Sequence, residues 1–523
     1  MNAANGCRKW FVAITTLLGT FMEVLDTSVA NVALPHIQGT YAAGVDEITW
    51  VLTSYLVANA VILPLSGYLG AAFSRKRVYM ACLALFTASS FLAGAAPSLG
   101  FLILMRVLQG LSGGAMVPMS QAILLETFPR EEHGKAMAVF GIGVVLAPVL
   151  GPLVGGWITD NWTWPWIFYI NIPVGLLALV LAFLFVEDPA YLERPAGRTD
   201  FSSLLFVAVG LGSLEIFLNR GERNDWFESP FIQAAAAAAA LFLALFVWRS
   251  LTAENPLVDL RVLKDRSFAS GAALMFLAGF GMYGAFVLLP LFVQNLLGYT
   301  PTWAGLILSP GGAATMASMA LAARLVGRVD TRLLVAAGFS CMAYSCWLLA
   351  GSTLEAGVPH FTEAWIYHGL GLGFFFVPIG VTAVRNIPPE KMGAATGLFN
   401  LMRNEGGSVG IAVSTTLLAQ RGQFHHHVLA QHVAPTSPLV QEGMQATGGL
   451  LASSSGLPPA SLPDLAAGLL SAGVQRQAHA LSFLDVFAFL GAAFVLGLFL
   501  VPLLGSDRSQ GGDTPSGRSP GLH

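Results

Sequence analysis

Fourteen apolar segments occupy most of this 523-residue chain, at about residues 11–34, 48–70, 78–96, 101–125, 136–158, 166–186, 200–219, 231–250, 268–293, 303–323, 333–351, 363–384, 394–418 and 481–504. A hydrocarbon core about 30 Å thick is crossed by about 20 apolar residues of helix. Lipid offers the backbone no hydrogen bonds, so segments of this length must fold as helices packed side by side. Charged residues make up 11% of the chain, against about 25% in a soluble domain. That shortfall excludes a globular enzyme held by one anchor. The net charge of −3 gives no reason to expect a nucleic acid or another anionic polymer as partner. Cys7, Cys82, Cys341 and Cys346 are scattered, without the CxxC spacing of a metal or redox site. They read as small apolar packing residues.

Charge orients the segments. The N-terminus is short and basic (Arg8, Lys9), and its apolar run extends beyond a signal-peptide core to Leu34-Pro35, so it reads as an uncleaved first helix. With that end inside, the inner connections hold 20 Lys and Arg and the outer ones 4, while Arg106 and Arg403 fall within spans. One span more or fewer would destroy this asymmetry. An even count with both termini cytoplasmic follows. Two connections are polar: the inner linker Glu187–Thr199 and an outer loop, Gln420–Ala480, rich in Gly, Ser, Pro, Gln and His. A loop that long is usually functional or disordered. The low-complexity tail 506–523 is expected to be disordered.

The chain also repeats itself at an offset of about 260 residues. Val117-Pro118 corresponds to Val377-Pro378, Pro129 to Pro389, and Gly134–Phe140 to Gly393–Phe399; Leu34-Pro35 before Trp50 parallels Leu289-Pro290 before Trp303. Spans 1–6 thus map onto spans 9–14, with spans 7 and 8 inserted. Parallel six-helix repeats place a binding site between the halves, near the middle of the membrane. The expected architecture is all-α: an N-terminal bundle 1–186, a linker with two inserted helices 187–265, a C-terminal bundle 266–505 that includes the loop 420–480, and the tail.

Several ionisable residues lie inside apolar spans. Each costs about 2.5–3.5 kcal/mol to insert at a helix centre, so such groups face protein or a wet cavity and handle protons, ions or substrate. Glu23 and Asp26 of span 1 are three residues apart and share a helix face. Such a face suits a proton carrier or a bound cation. Arg106, in RVLQG of span 4, stays charged when buried; Asp26 is its natural partner, either in a static pair or in one that switches on protonation. Arg403 and Glu405 of span 13 are two apart and must find partners elsewhere. Glu215 of span 7 is a further candidate acid. The second half has no counterpart of this set, since Arg106 aligns with Ile366 and span 9 lacks an acid.

Span 5 reads GIGVVLAPVLGPLVGG. Gly141, Gly143, Gly151, Gly155 and Gly156 allow close helix contact, and Pro148 and Pro152 bend the helix. A pliant helix of this kind can seal the boundary between two halves. In the inner connection GYLGAAFSRKRV, Gly67 permits close approach and Arg75, Lys76 and Arg77 hold the inner face. His425–His427 have no Cys, Asp or Glu nearby in sequence, so no metal site is expected. No Walker-A, GxSxG or HExxH string occurs, so neither an ATPase engine nor hydrolase chemistry is expected. A non-transporting receptor would gain nothing from buried acids.

At these residues the chain resembles the major facilitator superfamily, and within it the fourteen-helix drug:proton antiporters of EmrB type. LDTSVANVALP (Leu25–Pro35) is similar to that family's first-helix motif, RVLQG to its span-4 motif, and GPLVGG (Gly151–Gly156) to the motif that marks antiporters; WIFYINIPVG, DWFESP and ENPLVDLRVL also resemble EmrB-type chains. The inner-loop motif departs from the family pattern. Ala71 stands where an Asp is usual and Ser74 where a Gly is usual, so Glu126 at the end of span 4 is placed to supply the missing acid. The resemblance implies a multi-pass protein of the bacterial inner membrane, driven by the proton gradient without a cofactor and exporting hydrophobic or cationic small molecules. It also implies a periplasmic membrane-fusion adaptor of EmrA type and an outer-membrane channel of TolC type, with the loop 420–480 as docking candidate. A proton-coupled uptake symporter or facilitator is the alternative on the same fold.

Overall fold

A computed structural model describes residues 3–188, 200–253, 256–433, 438–455 and 462–505. Most of the expected linker (189–199) and the expected disordered tail (506–523) lie outside the described residues. Helices carry the described chain. The first half comprises α1 (Ala3–Tyr41), α2 (Val45–Ile48), α3 (Trp50–Ile62), α4 (Ser66–Phe73), α5 (Arg75–Gly94), α6 (Leu99–Thr127), α7 (His133–Asn161), α8 (Trp166–Tyr169) and α9 (Asn171–Phe185). The inserted helices are α10 (Phe201–Arg220) and α11 (Pro230–Thr252). The second half comprises α12 (Arg266–Asn295), α13 (Pro301–Leu325), α14 (Thr331–Ala350), α15 (Val358–Thr382), α16 (Met392–His432), α17 (Pro438–Ser455) and α18 (Leu462–Leu500).

Eleven of these helices are long and apolar enough to cross a membrane. Two bent pairs bring the number to 13. One turns by 59° between Ile62 and Ser66, where Pro64 cannot continue the hydrogen-bond ladder. The other bends by 41° between Pro148 and Leu150. The remaining expected span, 394–418, lies within α16. It is less apolar than the others because it carries Arg403, Asn404, Glu405 and several glycines, and both of its charged side chains are buried against neighbouring helices. The chain is a multi-pass membrane protein.

Connections expected on one side of the membrane meet in space. At one rim the Tyr41 hydroxyl donates to the Ala96 carbonyl at 2.8 Å, the Trp164 indole to Thr40 at 2.9 Å, and Arg220 to the Asp46 carbonyl at 2.7 Å. At the other, basic rim Arg8 donates to the Phe185 carbonyl at 3.3 Å, Lys9 pairs with Glu132, and Lys391 pairs with Asp259 at 2.7 Å. There the Lys9 ammonium, seconded by Lys135, holds the Glu132 carboxyl below its ordinary value. Sorting of the connections into two rims is the spatial form of the charge asymmetry.

The internal repeat reappears in the packing. α1 lies on α7 as α12 lies on α16; α3 lies on α6 as α13 on α15; α5 contacts α6 and α9 as α14 contacts α15 and α18. Across the boundary α7 packs on α13, and α16 packs on α4. The repeat therefore builds two similar bundles that meet through equivalent helices.

The segment 420–480 departs from the expected loop. α16 runs unbroken for 41 residues and α18 for 39, about 60 Å each at 1.5 Å per residue, roughly twice the hydrocarbon thickness. With α17 they project beyond the bundle and enclose a cleft lined by Leu429, Val433, Leu469, Leu470 and Val474. The local composition looked loop-like, but Ala, Leu and Gln at helical spacing give each extension an apolar stripe to bury.

Candidate functional site

Asp26 and Arg106 meet in the core of the first bundle. They form an ion pair in which both side chains are essentially inaccessible. The Asp26 carboxylate also accepts from the Asn171 amide at 2.8 Å and the Gln109 amide at 3.2 Å. Both amides donate to Ser90 Oγ at 3.0 Å. Arg106 Nε donates to the Val51 carbonyl at 3.1 Å, and its guanidinium lies 4.3 Å from the Tyr55 ring centroid. One carboxylate thus joins α1, α3, α5, α6 and α9. Deprived of one partner, a buried pair of this kind loses about 3–5 kcal/mol, so its charge state bears on the packing of the whole bundle.

Glu23 shares the helix face with Asp26 but belongs to a separate set. Its carboxylate accepts from Tyr55 at 3.0 Å and from the Asn59 amide at 2.8 Å. Asn59 Oδ1 then accepts from Asn404 on α16 at 3.3 Å, and the Asn404 oxygen accepts from Arg403 at 3.2 Å. This chain of side chains crosses from the first bundle to the second and brings Arg403 within electrostatic reach of Glu23. Arg403 is thereby linked to Glu23 across the boundary through Asn404 and Asn59.

Glu215 of the inserted α10 is buried and also touches the second bundle. It accepts from Ser408 of α16 at 2.8 Å and from Asn219 at 2.6 Å. One turn further along α10, Arg220 is fixed to the first bundle by Asp46, by Thr49 at 2.8 Å and by the Trp50 ring at 4.3 Å. The inserted helix is therefore tied to both halves. Glu405 is buried on α16, and neither of its oxygens has a hydrogen-bond partner among the described residues.

At the basic rim Arg75 turns inward and pairs with Glu126; the two side chains are 4% and 12% exposed. Lys76 and Arg77, grouped with Arg75 from sequence, do not join it. Lys76 donates to the Phe183 carbonyl at 2.6 Å and Arg77 is exposed. Successive helical residues point about 100° apart, so one cation of the three faces the interior. Ser74, at the usual Gly position, has φ +82°. Its hydroxyl donates to Asp188 at 2.5 Å and accepts from the Arg77 amide at 3.4 Å, which closes the start of α5. Glu126→Gln should leave Arg75 without its counter-charge and lower stability by about 2 kcal/mol, below the range for a fully buried pair. A detergent melting curve measures this, and an unchanged midpoint would show that the pair contributes little.

The basic ends of the two bundles touch through backbone. An ideal Cβ on Gly67 would sit 2.6 Å from the Ala394 nitrogen and 2.7 Å from the Gly393 carbonyl oxygen. At the repeat-equivalent contact, a Cβ on Gly134 would sit 3.0 Å from the Ala323 carbonyl oxygen. Asn400 donates to Gln121 across the same boundary at 2.6 Å. The span-5 glycines serve close helix contacts, most of them inside the first bundle. Gly143, Gly151 and Gly155 fit against Leu17, Ser28 and Val29 of α1, inside one bundle. α7 meets α13 of the other bundle through other positions, among them Gly141 against Met319 and Leu153 beside Gly305. Pro148 lies at the bend of α7, and its carbonyl accepts from Ser28 at 3.5 Å; Pro152 follows within the helix, and the Gly156 carbonyl accepts from Thr159 at 3.0 Å.

Sequence reasoning missed Ser90, Gln109, Asn171, Tyr55 and Asn59 as members of these networks. The signal was present, since each is a polar group within an apolar span. A hydroxyl or amide is cheap enough in a membrane helix to be overlooked beside a charge.

The family model described as Major Facilitator Superfamily matches residues 16–411. The chain is 37% identical over 441 residues to the fatty acid resistance protein FarB of Neisseria gonorrhoeae, covering 84% of this chain and 86% of that protein. It is 36% identical over 440 residues to the multidrug export protein EmrB of Escherichia coli K12, covering 84% and 85%. The colistin resistance protein EmrB of Acinetobacter baumannii is 29% identical over 433 residues, covering 83% and 85%. Among solved structures, the human organic anion transporter MFSD10 superposes with a TM-score of 0.61 at 14% identity, covering 94% of this chain and 99% of that one. The proton:xylose symporter XylE also gives 0.61 at 14% identity, covering 96% and 97%; at such identity both likenesses concern the fold alone. A superfamily match across most of the chain, with EmrB relatives of nearly equal length, agrees with two repeated bundles around buried charge: the chain belongs to the major facilitator superfamily, in the group of the EmrB multidrug export proteins.

Proposed function

We propose that this protein is a proton-driven multidrug efflux antiporter that exports hydrophobic or cationic small molecules. The observation that carries this reading is the inaccessible Asp26–Arg106 pair, wired by Gln109, Asn171, Ser90 and the Val51 carbonyl into five helices. A proton arriving at Asp26 removes the charge that Arg106 faces and replaces an accepting oxygen with a donor. The arrangement then loses the interactions that fix α1 against α6 and α9, and the bundle takes up the alternative packing. Substrate binding favours one packing and protonation the other, which is alternating access as population shift. Each proton charge entering is worth about 2.3 kcal/mol per 100 mV, more than the ~1.4 kcal/mol that corresponds to a tenfold concentration ratio. No cofactor enters this scheme.

In this reading the basic rim is cytoplasmic, both termini are inside, and the membrane is the bacterial inner membrane. The projecting α16–α18 helices then lie in the periplasm and meet an adaptor of EmrA type that leads to an outer-membrane channel of TolC type. Replacing residues 434–461 by a short linker should abolish adaptor capture while vesicle transport persists; unchanged capture would dismiss the docking surface. The function itself is tested in everted vesicles with a panel of lipophilic dyes, with and without a protonophore. Proton-dependent accumulation of dye is expected. Dye movement that ignores the protonophore, or runs only toward the cytoplasmic side, would overturn it.

A further inference from the structure

The connections between the second and third spans of the two bundles are built alike and charged differently. Ser74 (φ +82°) lies between α4 and α5, and Gly327 (φ +81°) between α13 and α14. Arg75 follows the one as Arg328 follows the other. In the first bundle the cations around this turn are matched. Arg75 pairs with Glu126 and Arg8 with Glu187, while Lys76 donates to the Phe183 carbonyl and has Asp188 on its backbone amide. In the second bundle the acid is missing. The repeat puts Asn386 in the place of Glu126, and its amide is turned to Asp265 at 3.1 Å. Residues 324–332 hold three arginines and one aspartate. Asp330 accepts from the Arg332 amide N–H at 3.0 Å, and the Arg332 guanidinium donates to the Leu504 carbonyl at 2.8 Å. Arg324 and Arg328 are exposed and form no ion pair with a described residue.

This turn stands at the boundary between the bundles, since Gly134 of α7 lies against Ala323, the neighbour of Arg324. The first bundle brings Arg130, Glu131, Glu132 and Lys135 to the contact. Glu132 is already shared by Lys9 and Lys135, and Glu131 sits beside Arg130, so that side supplies no surplus of negative charge. Leu321 on the last turns of α13 and Leu333 on the first turn of α14 are 47% and 65% exposed. At the end of a membrane span such surfaces meet acyl chains. We propose that the turn carrying Arg324 and Arg328 binds the headgroup phosphate of an anionic phospholipid in the leaflet at the basic rim. A guanidinium offers a phosphate two parallel N–H donors, and each cation at a membrane surface adds attraction to anionic lipid. A zwitterionic lipid gains less, because its own ammonium is repelled by the same arginines. The equivalent turn of the first bundle cannot take this ligand, since Arg75 is buried and its charge is answered by Glu126. The inference goes beyond the efflux reading and does not depend on it.

The test uses the full chain, purified in detergent and followed by native mass spectrometry. It is titrated with phosphatidylglycerol and, separately, with phosphatidylcholine of the same acyl chains, and inorganic phosphate is added as competitor. Phosphatidylglycerol should bind at least tenfold more tightly than phosphatidylcholine. The double variant Arg324→Gln with Arg328→Gln should weaken phosphatidylglycerol at least tenfold and leave phosphatidylcholine within twofold. Arg324→Lys with Arg328→Lys, which keeps the charge, should bind several-fold better than the glutamine pair. Lys264 and Arg266 are exposed cations of the second bundle outside this turn. Their joint replacement by Gln removes the same charge and should change binding less than twofold. Equal weakening by the two glutamine doubles would reduce the effect to the overall charge of the rim and overturn the site. Absence of any preference for the anionic lipid, or a lysine pair that binds no better than the glutamine pair, would overturn it as well. Displacement of the lipid by millimolar inorganic phosphate would assign the turn to a free anion and overturn the lipid as its ligand.

Discussion

Asp26→Asn reduces proton-driven efflux at least tenfold, to the level of protonophore-treated vesicles, and destabilises the first bundle. The asparagine has nearly the same shape and still reaches Asn171 and Gln109, but Arg106 then keeps a full charge, with its side chain inaccessible and no counter-ion. Removing one member of a buried pair costs about 3–5 kcal/mol, enough to lower the detergent melting midpoint and the amount of protein in the membrane. Loss of stability and loss of coupling must therefore be separated. A double variant, Asp26→Asn with Arg106→Gln, eliminates the orphan charge. It should recover much of the lost stability and none of the transport. Gradient-driven efflux by Asp26→Asn at normal levels would remove the carboxylate from the mechanism; recovery of efflux in the double variant would make the pair a structural one.

Gly67→Val should have an effect of similar size from the opposite cause. At Gly67 the backbone of α4 lies against the backbone of α16, where even a single carbon would approach Ala394 to 2.6 Å. Backbone cannot rotate out of the way as a side chain can, so the two bundles must separate at the basic end. Their interiors are untouched, and the folded protein should accumulate normally. The closed packing described here would no longer form, the cycle would stop, and efflux should fall at least tenfold. A cysteine at Ser66, which is 2% exposed in the native packing, reports the change: a membrane-impermeant maleimide should label Ser66→Cys several-fold faster when Gly67→Val is also present. Unchanged labelling with intact efflux would mean that the close approach at Gly67 is not needed for transport.

Much of this organisation is legible without coordinates because lipid imposes strict rules. Span length, the Lys and Arg asymmetry and the 260-residue repeat each follow from transfer energies that act on one helix at a time. They gave the two bundles, the inserted pair and the sorting of connections into two rims. The same rules misjudged 420–480, because outside the bilayer a polar, glycine-containing run can be loop or helix, and what decides is an apolar stripe with something to pack on. They also joined Lys76 and Arg77 to Arg75, because direction around a helix axis depends on which helices lie beside it.

By itself the sequence determined that the charges inside apolar spans are buried, since an ion placed there has few other resting places. It therefore determined that Asp26 and Arg106 must answer one another and that Glu126 was available to Arg75 once Ala71 had replaced the usual acid. Only tertiary structure decided the allegiance of the remaining acids: Glu23 to Tyr55 and Asn59, Glu215 to Ser408 on the far bundle, and Glu405 to no donor among the described residues. The physical reason is one of range. Burial of charge is set by the local solvent, which sequence reports directly, whereas the partner of a buried group is set by ångström-scale contacts between helices hundreds of residues apart.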